Sequence, residues 1–152
     1  MYQLYKGLRY EIHVFQQLGR EGWHGYMWHQ VPVDLLISLN MYRRDQIPPL
    51  ISVPYRNPVP DRGCDLLMEC PDRGWTMVQC KNTSKPVTMR DLAGFWYMSS
   101  TRSHLPALIV TNRSILPWLR NDLHQHSRIQ HRCMQLDHRM QDHRWTIDPS
   151  SM

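Results

Sequence analysis

Long apolar runs are missing from this chain: nothing in its 152 residues approaches the roughly 20 consecutive apolar residues of a membrane span. The opening stretch, MYQLYKGLRYE, lacks the apolar core that a signal peptide carries. Both absences favour an intracellular protein, in cytoplasm or nucleus, with no membrane partner. Cysteine is sparse. The four residues at 64, 70, 80 and 133 include no C-x-x-C, and a disulfide framework does not suit an intracellular chain of this length. Three of them fall in or beside expected strands, where a free Cys serves as a small buried hydrophobe. Lysine is nearly absent, with 3 Lys against 15 Arg. No internal repeat is visible.

What is present suits one globular domain. A hydrophobic content of 41% can supply a core, and the length is too short for two ordinary domains. The formal charge is +5, with a pI near 9.2. Because that charge is carried by Arg, whose planar fork matches phosphate oxygens, the balance favours a polyanionic partner.

Residues 2–19 read as a helix. Leu4, Leu8, Ile12, Phe15 and Leu18 recur at steps of three and four, which makes one apolar stripe, and Gly19 and Gly22 end it. Glu11 sits on the inward face of that stripe. A carboxylate there is costly unless it is paired or binds metal; the alternative is an edge residue with its head in solvent. Residues 23–60 contain six prolines and read as irregular chain with a short helix or turn near 33–40 and one strand near 50–55.

Asp65–Cys70 and Trp75–Lys81 form an expected hairpin around Pro71-Asp72-Arg73-Gly74. With Asp72-Arg73-Gly74 as a three-residue loop and Gly left-handed, Pro71 faces Trp75, Leu67 faces Gln79, and Asp65 lies opposite Lys81. Side chains alternate along strands, so Asp65, Gln79 and Lys81 then share a face; a two-residue loop would send Asp65 to the other. Thr88-x-x-Asp91 resembles a capping box and starts a helix of about a dozen residues through Leu92, Phe95 and Trp96. Ala107–Thr111 reads as a buried strand. Ser114 is placed as the cap of a further helix, with Pro117 in its first turn. Beyond it, residues 124–145 are dense in His and Arg. A zinc site with Cys133 is conceivable there, but the spacings match no compact ligand set; a solvated basic tail is the simpler reading.

An acid heading one strand and a Gln-x-Lys closing the next bring a carboxylate, an amide oxygen and an ammonium together, the set that metal-dependent phosphodiester cleavage needs. Tyr10-Glu11 in the first helix, Asp61-x-Gly63-x-Asp65-Leu66, Val78-Gln79-Cys80-Lys81 and the following Pro86-Val87 resemble the PD-(D/E)XK nuclease superfamily, in its restriction-endonuclease-like group of Mrr-type enzymes and Holliday junction resolvases. That group often carries Gln where the superfamily name has an acid.

The resemblance implies an α/β fold with a mixed central sheet and flanking helices in the order αβββαβ. The match covers roughly residues 2–125, which places a nuclease-like domain at 1–125 with 25–60 as an irregular insertion; residues 126–152 read separately as the basic tail, with a short edge strand near Met134–Leu136. It implies Asp65, Gln79, the backbone carbonyl of Cys80, and Glu11 as ligands of Mg²⁺ or Mn²⁺. Lys81 would orient or activate the attacking water or stabilise charge on the phosphate. Around such a site Arg62, Arg73, Lys85 and Arg90 are candidates for backbone phosphate contacts, while Trp75 and Trp96 are expected to pack rather than stack on bases. The activity implied is that of a metal-dependent DNA endonuclease, working alone, as a homodimer, or with a helicase or other protein. The alternatives are a catalytically inactive nuclease fold that binds DNA or protein, and a structure-selective resolvase.

Overall fold

The computed structural model describes residues 2–48, 58–101, 104–125 and 129–136, with side chains from residue 7 onward. Its organising element is a five-stranded mixed sheet in the order β1-β2-β3-β4-β5. The strands are β1 His24–Met27, β2 Leu66–Cys70, β3 Gly74–Lys81, β4 Ala107–Thr111 and β5 Ile129–Cys133. Strands β1, β2 and β3 are mutually antiparallel, whereas β3, β4 and β5 are parallel.

Helix α1, Tyr2–Arg20, covers one face. Its Tyr10, Ile12, Val14 and Leu18 pack on Leu66, Met68, Val78, Cys80, Leu108 and Val110. The chain leaves this helix with the Trp23 N–H returned to the Leu18 carbonyl at 3.0 Å, which satisfies a carbonyl the helix itself leaves open. The opposite face carries Leu67, Met77, Ala107, Ile109 and Ile129. It is covered by α2 Val33–Ser38, α3 Met89–Thr101 and α4 Pro117–Gln125 through Leu36, Leu92, Phe95, Leu119 and Leu123. Both β3-α3-β4 and β4-α4-β5 crossovers therefore lie on one side, as parallel neighbours require.

Three expectations are corrected. Residues 23–60 were expected to hold only a helix or turn and one strand near 50–55; they also contain β1, which pairs with β2 through Tyr26↔Leu67. Four residues reading HGYM hold too little alternation to be detected before the partner strand is known. The strand expected near 50–55 lies outside the described residues.

The hairpin register also differs. Cys70 faces Gly74, Leu67 faces Met77 and Leu66 faces Val78, so the three-residue loop is Pro71-Asp72-Arg73. Pro71 has no N–H to give to a ladder, and moving it into the turn avoids that loss. Gly74, at φ 77, takes the left-handed conformation that the strand entry needs. Asp65, expected opposite Lys81 and on its face, lies just outside the regular ladder, which begins at Leu66↔Val78, and bonds to Val78 and Cys80 instead.

The edge strand is Ile129–Cys133 rather than Met134–Leu136. It pairs along the whole of β4, from Ala107↔Ile129 to Thr111↔Cys133, so the sheet extends past residue 125. An edge strand reading IQHRC has one apolar anchor, Ile129, and gives little pattern in sequence. Met134 instead fastens the chain beyond it: its N–H reaches Thr111 O at 2.8 Å, and its carbonyl accepts the buried Tyr10 hydroxyl at 2.7 Å. At the two later helices the differences are small. Asp91 accepts both the N–H and the hydroxyl of Thr88, at 2.8 and 3.1 Å. Helix α4 begins at Pro117, not at Ser114, as suits proline in a first helical position.

Candidate active site

The site begins in a turn. Residues 61–64 close through Cys64 N to Asp61 O at 2.9 Å, with Arg62 at φ 50 and Gly63 at φ 90. The Asp61 side chain accepts the Gly63 N–H at 2.9 Å, an Asx arrangement that stabilises the bend. Gly63 is required twice over. Its φ is one that side chains resist, and a Cβ there would lie 3.0 Å from Phe95 N and 3.2 Å from the Gln79 amide nitrogen.

This turn delivers Asp65 to the end of the β2–β3 ladder. Regular pairing starts only at Leu66. Asp65 instead gives its N–H to Val78 O at 2.8 Å, and its carboxylate accepts the Cys80 N–H at 2.7 Å. A side chain thus replaces a ladder carbonyl, and the Asp65 carboxyl group is fixed at the sheet's end.

Glu11 reaches the same point from α1. The two carboxyl groups lie close enough that each shifts the proton affinity of the other. Burial, then the neighbouring Asp65 carboxyl group, pushes Glu11 up to about 8. Asp65 rises to about 6, driven first by burial, with Asp61 adding to it and the Cys80 N–H, Glu11 and the Lys81 ammonium opposing it. Glu11 is half-buried and paired, not an edge residue with its head in water. Burial and the two nearby acids also push the Cys80 thiol well above its usual range. That thiol packs in the α1 core and is inert.

Gln79 and Lys81 come from the last turns of the β3 pleat. Gln79 is 2% exposed. Its side chain points to the face covered by α3, against Gly63, and its amide oxygen is buried without a hydrogen-bond partner. Such an atom is expensive in an ordinary core. Lys81 is half-buried at the end of β3, opposite Thr111. The chain after it is clamped by Asn112, which accepts the Thr83 N–H at 3.0 Å and donates to the Thr83 carbonyl at 2.9 Å.

The fold therefore gathers Glu11, Asp65 and Lys81 at one end of the sheet, with Asp61 near enough to act on both acids. Gln79 stands beside them on the α3 face, and Cys80 offers Asp65 its N–H. Among the described residues, no three His, Cys, Asp or Glu side chains converge as a metal-ligand group; the oxygen set comprises two carboxyl groups and an amide.

Of the cations, Arg62 is exposed in the turn before Asp65, and Lys85 and Arg90 are exposed in the segment from Lys81 into α3. Arg73 is different. It lies in the hairpin turn, at the far end of β2 from Asp65, about 17 Å away at ordinary strand rise. Trp75 and Trp96 are half-buried against the core, as expected of packing residues. Sequence reading did not assign roles to Thr111, Arg120 and His131, whose partners become visible only once β5 is in place. Among the described residues, no helix is long and apolar enough to cross a membrane. Compared with protein-family models, with curated proteins and with solved structures, the chain matches none of them.

Proposed function

We propose that the chain is a divalent-metal-dependent DNA endonuclease that hydrolyses phosphodiester bonds, built on a restriction-endonuclease-like core of the PD-(D/E)XK kind. Its carrying observation is the Glu11–Asp65 acid pair held at the end of β2 within electrostatic reach of Lys81. A fold under selection for stability alone gains nothing from two carboxyl groups pressed together in a half-buried place. The order α1, β1, α2, β2, β3, α3, β4, with β1–β3 antiparallel and β4 parallel to β3, is consistent with this reading.

The donors fit a hard cation such as Mg²⁺ or Mn²⁺. Glu11, the second oxygen of Asp65 beyond the one that accepts the Cys80 N–H, and the buried Gln79 amide oxygen with no partner are candidate oxygen ligands. Glu11, Asp65 and Gln79, with the Cys80 carbonyl, would hold it. A bound divalent ion supplies charge neutralisation at the scissile phosphate and acidifies the attacking water. The protein's own part is positioning. The Cys80 N–H fixes the Asp65 carboxylate, the Asn112 clamp holds the chain that follows Lys81, and Lys81 brings a positive charge to the phosphate or orients the water. Arg62, Lys85 and Arg90 emerge at the same end and would engage flanking phosphates.

Incubation of the purified chain with linear duplex, single-stranded and branched DNA, in Mg²⁺, Mn²⁺ or EDTA, tests this. Cleavage that needs metal and disappears in Asp65→Asn is expected. Preference for branched DNA would mark a structure-selective resolvase, a role that calls for a homodimer. One observation favours a second reading: Gln79 stands where a third carboxylate would strengthen metal binding. On that reading the chain is an inactive nuclease fold that holds DNA or a protein, such as a helicase partner. Binding without cleavage under every metal condition selects it.

A further inference from the structure

The face of the sheet that carries Gln79 and Lys81 continues across β4 to β5. Along it lie Gln79, Ile109 and His131 in one row, and Lys81, Thr111 and Cys133 in the next. Over β5, between the strand and α4, is a cavity of about 230 Å³. Ser114, Arg120, His124 and His131 line it above an apolar floor of Leu123 and Ile129. No carboxylate lines it, and among the described residues no acid is paired with Arg120.

The polarity of His131 is fixed by its neighbour. The Thr111 hydroxyl gives its hydrogen to Arg113 O at 2.5 Å. It must therefore accept at 2.7 Å from His131 Nε2, which carries the ring proton and leaves Nδ1 as the nitrogen able to gain one. Burial, then the Arg120 charge, lowers the pKa of this ring, which favours its neutral form. His124, His131 and Cys133 all border the cavity, but they do not form a metal-holding group. A pocket with an unpaired guanidinium, a hydroxyl, two imidazoles and no acid suits an anion instead.

We infer that this α4–β5 cavity is a phosphate-binding subsite, in which Arg120, His124, His131 and Ser114 take a phosphate group of a nucleic-acid strand. Two inter-strand spacings separate His131 from Gln79, about 10 Å along the sheet. A strand whose phosphate lies at the Lys81 end can therefore carry a neighbouring phosphate over β5. The assignment of a phosphate rests on the cavity itself; only its source, a strand passing Lys81, rests on the proposed function above.

The test follows the His131 and Arg120 side-chain resonances of the full chain in EDTA, titrated with inorganic phosphate and then with a short single-stranded oligonucleotide. Phosphate should give saturable shifts and raise the apparent pKa of His131, because an anion favours the charged ring. Arg120→Gln, at an exposed position where substitutions disturb folding little, should weaken phosphate by about tenfold, the usual scale for losing a charged hydrogen bond. The oligonucleotide should displace phosphate from the same resonances. Shifts that do not saturate, or are equal in Arg120→Gln, overturn the subsite. Saturable phosphate binding that the oligonucleotide does not displace supports the phosphate site and overturns the strand as its source. Cleavage is not read in EDTA, so an inactive enzyme and a false subsite give different results.

Discussion

Glu11 from the first helix and Asp65, just before β2, face each other closely enough that the carboxyl groups raise and lower one another's proton affinity. Two acids buried side by side favour holding a proton, and this sets how the protein should respond to pH and to metal.

Without metal, stability should fall as pH rises. Both groups have folded pKa values above their ordinary ones, with Asp65 at about 6 and Glu11 at about 8. The folded state therefore binds more protons than the unfolded state between these limits. The stabilisation is complete below pH 4 and is lost as pH climbs through 6 to 8. Denaturant midpoints in EDTA across pH 5–9 should show this decline, and Glu11→Gln should flatten most of it. A wild-type midpoint that rises over the same range would mean that the acids are not coupled.

Mg²⁺ or Mn²⁺ should reverse that decline, since a cation that takes the proton's place favours the folded state by mass action. Glu11→Gln should impair cleavage chiefly through metal affinity, and raised Mn²⁺ should recover part of it, because Mn²⁺ binds such sites more tightly than Mg²⁺. Activity measured against Mn²⁺ for both proteins checks this; superimposable curves remove Glu11 from the site.

Lys81→Ala should abolish cleavage, by on the order of a hundredfold or more, while leaving the unfolding midpoint and DNA affinity nearly unchanged. One ammonium is a small part of a distributed basic surface. Comparing cleavage rates with binding isotherms separates the two effects, and wild-type cleavage by the variant ends the catalytic assignment.

Gly63→Ala should be costly out of proportion to one methyl group. The residue sits at φ 90, and the new carbon would press on Phe95 N and on the Gln79 amide. Strain at such a position costs on the order of 1–3 kcal/mol. A thermal melt should show the loss. Activity should fall further than the melt explains, because the turn that delivers Asp65 also borders Gln79. An unchanged melt would show that the turn is free to adapt.

The sequence alone established the elements with strong periodicity or a continuous apolar run. The stripe from Leu8 to Leu18 specified α1 and placed Glu11 on its inner side, and Ala107–Thr111 announced a buried strand. Gln79 and Lys81 share a face by strand alternation, which a shift of register by two does not alter. Tertiary structure decided the rest. Strand β1 and strand β5 carry too few apolar residues to be seen without the neighbours that satisfy their backbones. The register of the hairpin was settled by the missing N–H of Pro71 and the left-handed Gly74. The meeting of Glu11 with Asp65 depends on where α1 crosses the sheet, and no spacing in the sequence encodes that. The α4–β5 cavity likewise exists only because Ser114, Arg120 and His131 come from separate segments that the fold alone brings together. Local pattern records which face a residue occupies; long-range packing decides which other residue it meets there.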